Sequence, residues 1–338
     1  MPILTPSAVH LDKPLTNLTI AYVQDQSNFV ADKIFPVVNV DSQSDKYYIY
    51  DRGTMNRAGD VAELAPNTPA NDIEIALSND NYFARVYGLR MPFGEQVLAN
   101  EDAALDIRMA GATTLVNRML IHRENQFAST FFADNVWGTN WDGVANADND
   151  TAIEVTNWDD YTNSTPIEDV TRLMRTVQLK SGGFKPNKMV VSKEVRDVLI
   201  NHPDILARLN GGATVSNPAL INDSKIAEIF GVSQFLVMEA VENDSAEGVA
   251  ESNSFIGGNH CLLVHSPDAA GLMTPMAGAT FAWNSIPGAS NLGVTVESFT
   301  GDYLREIQIA ERIQVKMAYD MRITGADLGG FINSVIST

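Results

Sequence analysis

Five histidines, one cysteine and a loose run of carboxylates are the residues of this 338-residue chain whose chemistry could support catalysis or metal binding. His260 and His265 stand five positions apart in a strand-like stretch, so alternation aims them at opposite faces, which is poor ligand geometry. His10, His122 and His202 are isolated, and His122, beside Arg123 and Glu124 on a helical stretch, reads as a structural or surface residue. Asp142, Asp148, Asp150 and Glu154 could offer oxygen ligands to a hard cation. Calcium-loop spacing and its central glycine are missing, so the set reads as a solvated loop. Cys261, within CLLVH, has no second cysteine for a disulfide or a Cys-rich metal site and reads as a small core residue. No GxxxxGK[ST] or GxGxxG phosphate loop occurs, and the Gly-Gly pairs beginning at 182, 211, 257 and 329 read as turns or caps. No catalytic, cofactor-binding or metal-binding residue is expected, and the chain is not expected to be an enzyme. One rival stays open: Trp137, Trp141 and Trp158, set among acids, could line the cleft of a hydrolase or a carbohydrate-binding protein.

Charge narrows the field further. Lys and Arg number 23 against 42 Asp and Glu, a formal net charge of −19, which argues against a surface built to neutralise phosphates. No sequence-specific nucleic-acid binding is expected. Hydrophobic residues make up 45% of the chain, so this acidity is not the signature of disorder and a sizeable core is available. The start MPILTPSAVH carries no secretory signal, and no run of about 18 apolar residues occurs. A soluble protein made inside the cell, without a membrane span, is expected. Charge is also patchy: no Lys or Arg lies between Arg123 and Arg172, or between Lys225 and Arg305. Such blocks suggest acidic surfaces that meet basic ones on another copy.

The elements that would position these residues fall in a definite order. Residues 1–45, punctuated by Pro2, Pro6, Pro14 and Pro36, read as an extended arm with one short helical piece. Two strand signals follow, Lys46–Asp51 and then Asp72 to Leu77 resuming at Tyr82–Met91, around a polar stretch rich in Gly and Pro. They predict a long hairpin projecting from the body, with no partner surface evident in this chain. Asn100 then reads as the N-cap of one helix to about Ala133, its stripe running through Leu105, Met109, Ala112, Val116, Met119, Phe127 and Phe131, with an irregular step at Arg123. Some 33 residues would span roughly 50 Å, enough to make the subunit elongated. Residues 134–164 read as loop. Helices from Pro166, Lys193 and Ser224 alternate with strands at Lys188–Val191, Phe235–Val241 and Cys261–His265, as in an inserted mixed domain. In 307–323 eight of nine odd positions are apolar, a long strand with one buried face whose partner is the long helix.

This order, with NLTIAYVQDQSNFVADKIFPVVNVDSQSDKYYIYDRG near the start, GFKPNKMVVSKEVRDVLINHPDI in the middle and LREIQIAERIQVKMAYDMRITGADLGGFI at the end, resembles the major capsid proteins of tailed bacteriophages. That family shares the HK97-like fold, an α+β architecture, and the resemblance spans essentially the whole chain. It implies an N-terminal arm (1–45), an extended loop lying across a neighbouring subunit (46–93), and a peripheral domain in two parts (94–159 and 294–338). The inserted axial domain would be 160–293. It implies hexamers and pentamers closing an icosahedral shell around a double-stranded DNA genome, located in the virion and assembled in the bacterial host cytoplasm. Scaffolding protein, maturation protease and portal would be separate partners, and decoration proteins a possible addition. Arg52, Arg57, Glu63 and Arg85 are the expected inter-subunit contacts. A cellular nanocompartment shell protein of the same fold is the nearest alternative.

Overall fold

The computed structural model describes residues 23–64, 66–67, 69–100, 106–147, 153–210, 222–246, 248–271, 273–286, 295–299 and 309–337. The first part of the arm, with His10, as well as Asp148, Asp150 and the Gly211-Gly212 pair, lies outside the described residues.

Strand Ile309–Ile323 organises the first sheet. It pairs antiparallel with Arg85–Gly94 along one edge, and with Gly278–Trp283 and Thr295–Phe299 along the other. Val37–Val40 adds a parallel strand outside Gly278–Trp283. The predicted alternation holds: Ile313, Val315, Met317, Tyr319 and Met321 are buried against the long helix. That helix runs Ile107–Phe131, shorter than expected, so its 25 residues span about 38 Å. Asn100 closes a separate short helix, Glu95–Ala99, and Asp106 is the N-cap of the long one, its carboxylate accepting from Met109 N at 2.9 Å. The buried face also differs from the predicted stripe. It passes through Ile107, Gly111, Leu115, Met119, Arg123, Phe127 and Phe131, while Met109 is exposed. Gly111 explains the shift, because a Cβ there would lie 2.7 Å from the Phe93 ring. A glycine at the closest approach of helix and sheet leaves no hydrophobic signature.

The second sheet has six strands in the order Glu154–Thr156, Thr139–Val144, Gly329–Asn333, Cys261–Val264, Lys188–Ser192 and Gln234–Met238. Both faces are covered. Val190, Leu262, Val264 and Phe331 join the core around the long helix, while Met189, Val191, Cys261, Leu263 and Ile332 join a second core under helix Pro166–Ser181. Burial on both sides is why these strands read as continuous apolar runs. Helix Pro166–Ser181 ends as predicted, at Gly182 with φ +81° and Gly183 with φ +112°. Pro203 does more than stop helix Lys193–Asn201: it opens another, Pro203–Asn210, where a missing N–H costs nothing.

Two expectations change here. The described residues of 134–164 are not solvated loop, since they supply two strands of this sheet and three buried tryptophans. Gly329-Gly330 is neither turn nor cap but the start of a strand, and a Cβ on Gly329 would sit 2.0 Å from the Trp137 ring. Strand Gly329–Asn333 lies between Thr139–Val144 and Cys261–Val264 in the second sheet.

Candidate inter-subunit surface

The residues weighed for chemistry do not converge. His202 is buried with its Nε2 3.0 Å from Ser164 Oγ, His260 Nδ1 accepts from Ser334 N at 3.1 Å, and His265 Nδ1 lies 2.8 Å from Lys185 O. Burial holds the imidazoles of His122, His202 and His260 below their ordinary range. Asp142 and Glu154 are register partners on parallel strands, and Asp142 accepts from Asn333. Among the described residues no group of three or more His, Cys, Asp or Glu could hold a metal ion. Cys261 is fully buried, and burial pushes its thiol up.

The tryptophan cleft does not exist. Trp137, Trp141 and Trp158 are all buried. Trp137 Nε1 donates to Phe131 O at 2.8 Å, Trp158 Nε1 donates to Asp169 at 3.2 Å, and the Arg172 guanidinium covers the Trp141 ring at 4.6 Å. Burial raises the Asp169 carboxyl to about 6, with the indole N–H and Arg172 opposing. Trp137 packs in the core around the long helix and Trp141 and Trp158 in the second core, which removes the physical basis of the hydrolase and carbohydrate-binding readings.

What the body does present is a hairpin. Ser44–Tyr50 pairs antiparallel with Leu77–Phe83. The predicted strand at 72–76 is absent, and from Arg85 onward the chain belongs to the first sheet. The hairpin base is anchored: Tyr82 stacks on Phe281 at 4.6 Å, Tyr47 at 5.4 Å, and Phe83 N donates to Asp320 at 2.9 Å. Beyond the strands, Asp51 caps a helical turn, Arg52–Met55, by accepting from Thr54 N at 2.8 Å. That turn folds back on the body, contrary to the expectation that the chain offers it no surface. Arg52 pairs with Asp327 at 2.7 Å, and Asn56 Nδ2 reaches Gly182 O at 3.4 Å.

Past this point support ends. Every described residue from Met55 to Leu77 is exposed, including the apolar Val61, Leu64, Ile73 and Ile75. Arg57 and Glu63 stand in this stretch and Arg85 on the sheet edge, all three exposed and without an ion pair among the described residues. Arg57 is the loop's one basic residue, against Asp60, Glu63, Asp72 and Glu74. The loop is thus acidic and apolar rather than basic, a property legible in the charges of residues 57–77.

No family model matches the chain. In sequence it is similar to the major capsid protein of Pseudomonas phage JBD67, 22% identical over 328 residues, 97% of each chain. In structure it is similar to a phage-related protein from Bordetella bronchiseptica RB50, with a TM-score of 0.63, 17% identity and 92% and 93% of the two chains covered. The capsid of cyanophage P-SCSP1u gives a TM-score of 0.61, 12% identity and 97% and 93% coverage. The SrpI encapsulin of Synechococcus elongatus gives 0.56, 10%, and 100% and 99%. Matched across nearly the full length of such chains, this protein has the HK97-like α+β fold, and its sequence similarity is to a phage major capsid protein.

Proposed function

We propose that this chain is a structural major capsid protein whose copies associate, as hexamers and pentamers, into the icosahedral head enclosing the double-stranded DNA of a tailed phage. The observation that carries this reading is the loop from Met55 to Leu77, which exposes Val61, Leu64, Ile73, Ile75 and Leu77, five aliphatic side chains that its own subunit leaves uncovered. An isolated loop of this kind gains nothing from its apolar residues, whereas a neighbouring copy can bury them. The loop's charge makes its complement on that neighbour apolar and basic. Glu63, Arg57 and Arg85 remain proposed contacts; Arg52 acts first within its own subunit, on Asp327. The arm (1–45), extended loop (46–93), two-part peripheral domain (94–159, 294–338) and axial domain (160–293) are the working division, with the second sheet drawing Thr139–Val144 and Gly329–Asn333 toward the axial part.

On this reading the chain is a tile without catalytic activity or cofactor, assembled in the host cytoplasm and resident in the virion. It works with a separate scaffolding protein, maturation protease and portal, and with any decoration protein the head carries. The excess of acids suits a wall that does not adhere to packaged DNA. The likeness to an encapsulin supports a nanocompartment shell as the second reading. Size-exclusion chromatography and negative-stain imaging of the full chain, expressed alone and with its scaffold and protease, test both. Closed shells containing DNA support the capsid, and shells containing protein cargo support the compartment. A small species under every condition overturns both.

A further inference from the structure

The irregular step that the stripe makes at Arg123 marks two buried charges on the long helix. Glu124 is fully buried and meets the arm. Its carboxyl group accepts from Val30 N at 3.2 Å and from Ala31 N at 3.1 Å, the unpaired donors at the start of the helical turn Ala31–Ile34. At the other end of that turn, Lys188 Nζ, from the second sheet, donates to Lys33 O at 3.0 Å and Ile34 O at 3.2 Å and pairs with the exposed Asp268 at 3.1 Å. Phe29, Val30, Ile34 and Phe35 fill the space between, Phe35 lying 4.5 Å from Phe131. The turn is thus held between an acid on the long helix, which takes the N–H groups at its start, and a cation on the second sheet, which takes the carbonyls at its end.

We propose that the turn Ala31–Ile34, seated between Glu124 and Lys188, is a proton-linked latch through which pH sets how firmly the arm is held on the body. The charged groups that face Glu124 among the described residues are Arg123, on its own helix, and Asp32, on the turn, 3.5 Å apart from each other. Two amide donors and Arg123 favour the carboxylate, Asp32 opposes it, and burial outweighs them, raising the group from 4.5 to about 7. The seated arm therefore keeps a proton on Glu124 that the unseated arm gives up. Seating is firm below the ordinary glutamate range and weakens as pH rises through neutrality, because an ionised Glu124 prefers water. For full exposure on opening, linkage makes the opening equilibrium on the order of 70-fold larger at pH 8 than at pH 5.

Hydrogen exchange of the full chain tests this, with amide rates corrected for intrinsic base catalysis and strand Cys261–Val264 as the internal reference for global opening. Protection of residues 29–35 should fall by that factor between pH 5 and pH 8 and stay below that of the reference strand throughout, which separates opening of the arm from global unfolding, since both release Glu124. Glu124→Gln, neutral but still an acceptor, should flatten the dependence. Lys188→Met should lower protection at every pH without flattening it. Wild-type arm protection independent of pH overturns the latch, as does a Glu124→Gln arm that keeps the wild-type dependence. The wild-type profile decides alone if either variant fails to fold.

Discussion

The proposed tile is most exposed to refutation at Ile73 and Ile75. Both lie on the unsupported loop, with 69% and 59% of their surfaces open to solvent in the isolated chain. Burying an isoleucine side chain is worth about 2.5 kcal/mol. The uncovered shares are then worth about 1.7 and 1.5 kcal/mol if a neighbouring copy covers them. Replacing both with serine should remove about 3 kcal/mol from each loop contact, which raises the critical concentration for assembly on the order of 100-fold. Nothing in the subunit depends on these side chains, so the thermal midpoint of the unassembled double variant should stay within about 1 °C of the wild type. Sedimentation velocity across a concentration series reads the first quantity and calorimetry the second. Assembly at the wild-type threshold would show that the loop is not an interface. A drop of several degrees in the midpoint would show that it packs within its own subunit.

Three further outcomes follow from the geometry. Gly329→Ala drives a methyl group into the buried Trp137 ring at the start of a strand; denaturant titration should show a loss of about 3 kcal/mol. The Arg52–Asp327 pair is half-exposed on both sides, so a double-mutant cycle to alanine should return a coupling below about 1 kcal/mol that fades with added salt. Asp169 is raised from 3.8 to about 6, so its charged form is the disfavoured one in the folded chain. The penalty is absent below pH 4, complete above pH 6 and worth up to about 3 kcal/mol. Asp169→Asn still accepts from Trp158, and its thermal midpoint relative to wild type should rise across that window; a difference independent of pH would contradict the argument.

Much of the frame was legible along the chain because its signals are local. Alternation in 307–323 required a strand with one buried face, and the apolar runs at Lys188–Ser192 and Cys261–Val264 are strands covered on both faces. Gly182-Gly183 ended a helix where a left-handed cap was needed. The order of these elements, with the local sequence around them, resembles the major capsid proteins of tailed phages, and that resemblance implied the HK97-like fold. That fold is the one observed.

The remaining features depend on residues far apart in sequence, and for those the tertiary structure decided. The long helix turns Gly111 and not Met109 toward the sheet, because Phe93 comes too close for any side chain. Residues 134–164 look like an acidic loop in composition, yet Trp141 and Trp158 pack in a core with Ile332, Val335 and Ile336, nearly 200 positions on. Arg52, expected to reach a neighbour, finds Asp327 275 positions away. Glu124 and Lys188 each look like an ordinary surface charge, and only folding brings them to the two ends of one helical turn. Hydrophobic period and turn chemistry act over a few residues and can be read in order. The pairing of buried charges, and which apolar residues stay uncovered, are set by contacts between distant segments and become visible only when those segments meet.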